Sequence, residues 1–434
     1  MSKKINIVTL GCSKNRVDSE FLSKQFQTGG FVTVHDEENS DADIVIINTC
    51  GFIADAKEES IDTILFFSEE RKAKKNEKLI VFGCLVERYK KELAKEISNV
   101  DAWFGVHEAK DILGFLNNPF FQDKIEERLI STPPHYAYLK ISEGCDRTCA
   151  FCSIPIIRGK HISKPIESIV KEAEFLLNAG VKEIILIAQD LGYYGHDLYR
   201  ENRLFQLVDK LSGLDNLEWL RLHYLYPNKQ IIDLLPLFKE RKNLCKYLDI
   251  PVQHISDKML SKMRRNHTKE DVLRTIDLFR NKIPEIALRT TVLVGHPGET
   301  EKDFLELVAF TENTKFDRLG AFTYSHEEDT FCYKNYKDSI PEKTKIERLE
   351  IIMDLQQNIS ESLNINKIGK SLKVLIDRKE SDYFVGRTEF DSPEVDNEVI
   401  IENSDKLKIG KFYNIKITGA QPFDLEGAVE NAIQ

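Results

Sequence analysis

Cys145, Cys149 and Cys152 stand in the spacing Cys-x3-Cys-x2-Cys. Three thiolates that close together can hold three irons of a cubane 4Fe-4S cluster, and no fourth cysteine lies nearby for the last iron. An iron left open binds a small molecule and takes part in chemistry, whereas a fully ligated cluster passes electrons. Zinc is the alternative for three thiolates, but zinc sites usually draw on two Cys-x2-Cys pairs or on histidine.

A second set of cysteines is scattered. Cys12, Cys50 and Cys84 each follow a short apolar run of the buried-strand type, namely Ile5–Leu10, Ile44–Ile47 and Leu79–Phe82. Helix-like stretches at Ser19–Thr28 and Ala54–Lys75 separate these runs. The alternation predicts a parallel-sheet α/β domain over residues 1–118. Ligand crevices of such sheets lie at the carboxyl ends of the strands, so the three thiols are expected to meet. A single cysteine there would be a small buried hydrophobe. Three at equivalent positions, with Gly11 and Gly83 allowing close approach, predict a second three-cysteine 4Fe-4S cluster, also with an open iron.

The elements that must position the first set come next. Residues 119–134 read as a connecting segment closed by Pro133-Pro134. Between residues 135 and 340, six strands are expected at Ala137–Ile141, Glu183–Ala188, Trp219–Tyr224, Tyr247–Ile250, Ala287–Val294 and Leu319–Tyr324. Helices are expected between them, at Ile166–Ala179, Leu204–Leu211, Lys258–Met263 and Glu301–Thr314. Six β/α units predict a partial TIM-like (β/α)6 barrel with its working residues on the loops after the strands, where the Cys145 loop falls. Residues 341–366 read as one amphipathic helix burying Ile346, Leu349, Met353, Ile359 and Leu363, a strut between domains. The tail, 367–434, turns to β patterning at Ser371–Asp377, Tyr383–Thr388, Glu398–Glu402 and Tyr413–Thr418, punctuated by Gly386, Gly410, Gly419 and Gly427. A small five-stranded β-barrel is expected, of a kind that binds nucleic acid or protein. The fold class is α/β.

A chain of 434 residues accommodates about three domains. No stretch approaches the roughly 18 apolar residues of a membrane span, and Ile5–Leu10 breaks at Gly11 like a strand, not a signal peptide. Eight cysteines without a secretory signal point to metal work in a reducing compartment, so a cytoplasmic protein is expected. Net charge is −10; residues 1–134 and 371–434 carry −5 each and the middle is neutral. No segment has the basic excess of a surface that grips a phosphate backbone, which weighs against RNA.

The quoted segments carry a resemblance. Leu10-Gly11-Cys12-Ser13-Lys14-Asn15, Asn48-Thr49-Cys50-Gly51-Phe52, Gly83-Cys84, Gly144 through Pro155 and Arg158-Gly159 together make the chain similar, over essentially its full length, to the methylthiotransferases of the radical-SAM superfamily. The resemblance implies an auxiliary cluster on Cys12, Cys50 and Cys84, and a cluster on Cys145, Cys149 and Cys152 that chelates S-adenosylmethionine (SAM). Phe151 is the aromatic residue of that second motif, and the tail corresponds to a TRAM barrel. Thr291 to Gly295 and His296-Pro297-Gly298-Glu299-Thr300 resemble the glycine-bearing motif that lines SAM. Gln189 ends the second barrel strand and Gln253 follows the fourth, both positioned for polar contacts at the mouth, although strand-end capping explains Gln189 equally well. His254 either touches substrate or serves as a local hydrogen-bonder. Arg158 and Lys160 either offset the anionic cluster or are solvated. Cys245 and Cys332 lack cluster spacing.

Within this family, some branches modify tRNA and one modifies an aspartate of ribosomal small-subunit protein twelve. Gly11-Cys12-Ser13-Lys14-Asn15 and Pro251-Val252-Gln253-His254 resemble the protein-modifying branch. The acidic tail suits docking of a basic ribosomal protein better than RNA. The implied chemistry begins with electron transfer from a low-potential donor through the SAM cluster. SAM cleavage then gives a 5′-deoxyadenosyl radical that abstracts hydrogen from the aspartate β-carbon, sulfur comes from the auxiliary cluster, and a second SAM provides the methyl group. Two rival expectations are the same reaction on tRNA, and an iron–sulfur electron carrier or scaffold without SAM chemistry.

Overall fold

Three apolar runs and two short edge runs form one parallel sheet: β1 (Lys4–Thr9), β2 (Val32–His35), β3 (Ile44–Thr49), β4 (Lys78–Gly83) and β5 (Ala102–Phe104), in the order β2-β1-β3-β4-β5. The computed structural model describes residues 2–37, 41–73, 78–402 and 405–432. Central β3 is buried at every position, as a strand covered on both faces must be. Helices α1 (Ser13–Thr28), α2 (Ala54–Ala73), α3 (Cys84–Glu96) and α4 (Ala109–Phe115) cover the sheet. Leu22 and Phe26 pack with Ile112 and Leu113 on one face, and Ile64 and Phe67 with Leu85 and Leu93 on the other. Two edge strands, β2 and β5, have no counterpart in the sequence reading. Both are short and half-exposed, so neither carries a long apolar run. Helix α1 starts at Ser13, not Ser19, and the expected Lys74 and Lys75 at the end of α2 lie outside the described residues.

The connecting segment is bolted down. Arg128 is buried and pairs at 2.5 Å with Glu20 of α1 and at 2.7 Å with Glu172 of the helix Ile166–Asn178. It thereby ties the first domain to the barrel.

The barrel strands are β6 (Tyr136–Lys140), then β9 (Glu183–Ile187), β10 (Trp219–Leu222), β11 (Tyr247–Asp249), β12 (Ala287–Val294) and β13 (Arg318–Thr323). They run parallel in two sheets, β6-β9-β10 and β11-β12-β13, joined by a Leu220–Leu244 bridge. A two-residue hairpin, β7 (Ser142–Glu143) with β8 (Ile162–Ser163), clasps the ends of the cysteine loop. The helix Glu342–Ile365 buries Lys345, Arg348, Ile352, Gln356 and Ile359. The apolar stripe read from sequence is therefore corrected. Ile346 is exposed and Leu363 half-buried, because Arg348 reaches Glu299 at 2.8 Å and Gln356 donates to the Phe316 carbonyl, fixing the helix on a polar seam.

In the tail, β14 (Ser371–Lys379), β15 (Tyr383–Thr388), β16 (Val399–Glu402), β17 (Phe412–Ala420) and β18 (Leu425–Ala432) close a barrel in the order β14-β15-β16-β18-β17. The segment after β15 turns toward the larger barrel's floor. There Arg221 donates to the Glu389 carbonyl at 2.8 Å, Tyr247 to Asp396 at 2.6 Å and Arg289 to Asp396 at 3.2 Å. Among the described residues no helix is long and apolar enough to cross a membrane.

Candidate functional site

Strands β1, β3 and β4 are neighbours, so the residues after them share one rim of the sheet. Cys12 caps α1 and Cys84 opens α3, which places both residues at helix N-termini, the positive end of the backbone dipole. Gly11 has φ +88°, and a side chain there would strike Cys50, its Cβ 2.7 Å from the Cys50 Cβ. Gly51 likewise lies against the Cys84–Leu85 backbone. The glycines let the three thiols approach, and each lies within electrostatic reach of the others. Asn15 organises the cradle: its amide donates to the Leu10 and Thr49 carbonyls at 2.9 and 3.1 Å, and its oxygen is 3.7 Å from the Cys84 sulfur. Ser60 both donates to the Cys50 carbonyl and accepts from its N–H. Burial pushes the Cys50 thiol up and the Cys84 thiol up to about 12, with the Arg158 guanidinium pulling the latter back. Buried thiols gathered this way deprotonate only against a strong positive charge, which iron would provide.

Cys145, Cys149 and Cys152 hang on the loop after β6 and line a cavity of about 520 Å³ with Arg147, Lys160, Arg264 and Phe331. The loop is fastened by the Cys145 N–H to the Gly159 carbonyl at 3.1 Å, the Ala150 N–H to the Met263 carbonyl at 2.9 Å and the Cys332 N–H to the Ala150 carbonyl at 2.8 Å. Burial raises the Cys145 thiol to about 12 and the Cys152 thiol further. Arg265 donates to the Cys149 sulfur at 3.3 Å, and Arg147 pairs with Asp190 at 2.7 Å; both guanidinium groups stack on Tyr226. Among the described residues no three His, Cys, Asp or Glu side chains converge on a position for one ion. A larger surface groove of about 670 Å³ along Asp257, Lys269 and Arg274 has no cysteine in it.

The two sites meet through Arg158, which is buried. It donates to Glu143 at 2.7 Å, two residues before Cys145, and to the Asn15 oxygen at 2.6 Å on the other side. Asp18 accepts from it at 3.2 Å, and Lys140 bonds Glu143 at 2.6 Å. Arg158 is thus a bridge between domains and is not solvated.

The remaining sequence-derived residues fall into two groups. Gly295 has φ +77° and donates its N–H to Glu299 at 2.5 Å; Gly298 has φ +88° and packs on Lys262. Thr291 and Gln253 meet through backbone, the Gln253 N–H reaching the Thr291 carbonyl at 2.8 Å with Gln253 at φ +70°. Phe151 packs edge-on against His296, behind the cysteine loop. Gln189 follows β9, half-buried and next to Asp190. His254 resolves as a local bonder: its Nδ1 accepts from the Ile255 and Ser256 N–H groups, and its Nε2 faces Glu299 at 3.2 Å. Cys332 sits 3.1 Å from His296 and Cys245 is buried near Arg221, both apart from the cluster sets. Sequence reading missed Arg265, Asp190, Tyr226 and Glu299 as organisers. Glu299 alone had a signal, inside the glycine motif.

A partial barrel with Cys-x3-Cys-x2-Cys on the loop after its first strand defines a radical-SAM enzyme. Residues 139–311 match the radical SAM superfamily, residues 4–105 the uncharacterized protein family UPF0004 and residues 368–429 the TRAM domain. Curated relatives named ribosomal protein uS12 methylthiotransferase RimO are similar along the whole chain. The one from Bacteroides thetaiotaomicron is 52% identical over 430 residues, covering 99% of each chain. That of Porphyromonas gingivalis is 52% identical over 424 residues, 97% of this chain and 98% of the relative, and that of Cytophaga hutchinsonii is 51% identical over 430 residues, 98% of each. The chain belongs to the RimO family of radical-SAM methylthiotransferases. Among solved structures, the methyltransferase TsrM from Kitasatospora setae, with tryptophan and a SAM analogue bound, shares the fold at TM-score 0.54 and 14% identity, over 74% of this chain and 73% of that one. The cobalamin-dependent radical enzyme OxsB does so at 0.53 and 14%, over 81% and 56%.

Proposed function

We propose that this chain methylthiolates the β-carbon of an aspartate in ribosomal protein uS12, with one 4Fe-4S cluster on Cys145, Cys149 and Cys152 and a second on Cys12, Cys50 and Cys84. The carrying observation is the single side chain of Arg158, which touches Glu143 beside the first set and Asn15 beside the second. Both sets then open on one space, as hydrogen removal and sulfur insertion at the same carbon require. When bound, the cluster and SAM supply the radical that an unactivated C–H bond demands. The chain's residues do the rest. Arg265 and Arg147 offset the negative charge of the first thiolate set, and Arg158 that of the second. Phe151 walls the loop from behind, while Gly295 and Gly298 turn the segment after β12 so that Thr291, Gln253 and Gln189 border the mouth as SAM contacts.

Docking of the basic substrate is assigned to the outer face of the C-terminal barrel, around the exposed Asp382, Glu402 and Asp405. That face is smaller than the charge count of the tail suggests, since Asp377, Asp391 and Asp396 face inward to Arg387, Arg318 and Arg289. The reaction also draws on a low-potential electron donor in this reading.

The test uses anaerobically reconstituted protein with SAM and a low-potential reductant, offered a uS12 peptide and bulk tRNA in parallel. Mass spectrometry is expected to find a methylthio group on the peptide aspartate and none on tRNA. Modification of tRNA alone would overturn the substrate, and no 5′-deoxyadenosine at all would overturn the reaction.

A further inference from the structure

Three lysines are buried among the described residues: Lys14, Lys140 and Lys345. Lys140 has Asp18 and Glu143 as counter-ions, and Lys345 has Asp338 and Glu342. Lys14 is only 5% exposed and pairs with no carboxylate among the described residues; its ammonium lies 3.3 Å from the centre of the Tyr224 ring. A ring face is worth about 1–2 kcal/mol to a cation and leaves its N–H donors largely unmet. An enclosed ammonium whose tip has no carboxylate beside it keeps its donors for an incoming anion.

Among the described residues the surroundings supply no such anion. Asp18 is taken by Lys140 and Arg158, Asp249 by the Tyr224 N–H and Arg289, and Glu394 by Tyr138 and Arg16. The first turn of α1 contains no acidic residue. His223 nearby is held neutral by burial, by Arg289 and Arg221, and by Lys14 itself.

Position decides what the anion is. Lys14 stands two residues after Cys12, on the side of the second cysteine set. Tyr224, which its ammonium covers, follows β10 at the barrel mouth, and two residues on, Tyr226 stacks under Arg147 and Arg265. Arg265 in turn touches the Cys149 sulfur. These contacts put the ammonium between the helix that follows Cys12 and the strand end that leads to Arg147 and Arg265, which on the reading above borders the space for the reacting carbon. In an aspartate side chain the carboxylate is one bond from that carbon.

We propose that Lys14 binds the carboxylate of the substrate aspartate and so selects an acidic side chain for reaction. This rests on the aspartate-modifying reading above. Tyr224 holds the ammonium in place, and the carboxylate completes its coordination with charge-assisted hydrogen bonds.

The test measures affinity, by fluorescence anisotropy, of the reconstituted holoenzyme for a uS12 peptide bearing either the target aspartate or asparagine in its place. Wild type is expected to prefer the aspartate peptide about tenfold or more. Lys14→Met and Lys14→Gln are expected to bind both peptides within about twofold of each other, and Lys14→Arg to keep the preference. Iron content and thermal melting establish that each variant is folded and loaded. A full aspartate preference in Lys14→Met or Lys14→Gln would overturn the proposal, as would loss of iron from both, which assigns Lys14 to cluster assembly. Wild type without affinity for either peptide would instead overturn the uS12 reading beneath it.

Discussion

Arg318, at the start of β13, and Asp391, in the segment after β15, face each other across the floor of the barrel, with Arg318 Nε 3.0 Å from the carboxylate. Both are buried. Similar pairs surround them: Arg221 with Glu183 at 2.8 Å, Arg387 with Glu183 at 2.8 Å and Arg387 with Asp377 at 2.6 Å. The larger barrel thus has an arginine-lined floor to which the C-terminal barrel brings Asp391 for Arg318 and Asp396 for Arg289. Asp391→Ala would leave the Arg318 charge buried and unpaired, at a cost of about 3–5 kcal/mol. The expected outcome is a clear drop in melting temperature, largely recovered by adding Arg318→Met, as a thermal melt of the single and double variants would read. An Asp391→Ala melt equal to wild type would show that this contact is idle.

The same floor gives a prediction about the tail as a whole. A chain ending at residue 366 would expose Arg221, Arg289 and Arg318 without Glu389, Asp391 or Asp396. It is expected to be less soluble and to exchange the amide hydrogens of β10 to β13 faster, by mass-spectrometric hydrogen exchange. Unchanged exchange would mark the C-terminal barrel as a loosely attached module.

Variants of one cysteine from each set separate the two sites. Cys149→Ala is expected to hold about four irons per chain instead of about eight and to give no 5′-deoxyadenosine from SAM. Cys50→Ala is expected to lose the same amount of iron yet still cleave SAM, without forming methylthio product. Iron assay and chromatography of the products check both. Wild-type iron content in either variant would sink the ligand assignment for that set.

The cysteines and their strands were legible because the signals are local. A fully buried strand reads as an unbroken apolar run, as Ile44–Ile47 does, and a cysteine at its end can be counted from the chain. Edge strands β2 and β5 left no such run. Arg158 belonged to a quoted motif, but nothing in its spacing says that it crosses to Asn15 in another domain. Arg265 lies over 110 residues from the cysteine it touches and carries no periodic mark. The stripe on the long helix misled because a helix docked through Arg348 and Gln356 need not turn its most apolar face inward. Likewise, charge counted along the tail could not distinguish acids that face solvent from those that neutralise the barrel floor.

Arg265 places a guanidinium 3.3 Å from the Cys149 sulfur and is held there by the Pro251 carbonyl at 2.5 Å and the Tyr226 ring. A fixed positive charge beside a thiolate ligand favours the reduced, more negative cluster. Arg265→Gln is expected to make that cluster harder to reduce, seen as a more negative midpoint in an EPR-monitored titration. A midpoint unchanged from wild type would show that the guanidinium only fastens the loop.

His296 supplies a pH dependence. It is fully buried among Phe151, Tyr324 and Cys332, and burial pulls its imidazolium down to about 4. Burial pushes the neighbouring Cys332 thiol up to about 12, so both partners are neutral. The unfolded chain takes up a proton on histidine as pH falls below about 6.5, whereas the folded chain resists until about 4. By linkage, the contribution of this residue to stability is complete above pH 6.5 and shrinks as the pH falls to about 4. His267, lowered to about 3, acts in the same direction. Urea midpoints of wild type are therefore expected to fall on acidification from pH 7 to 5. His296→Gln should be less stable at pH 7 yet show a shallower fall, having lost one of the titrating groups. Parallel curves for the two proteins would mean that His296 takes up its proton at the same pH in the folded and the unfolded chain.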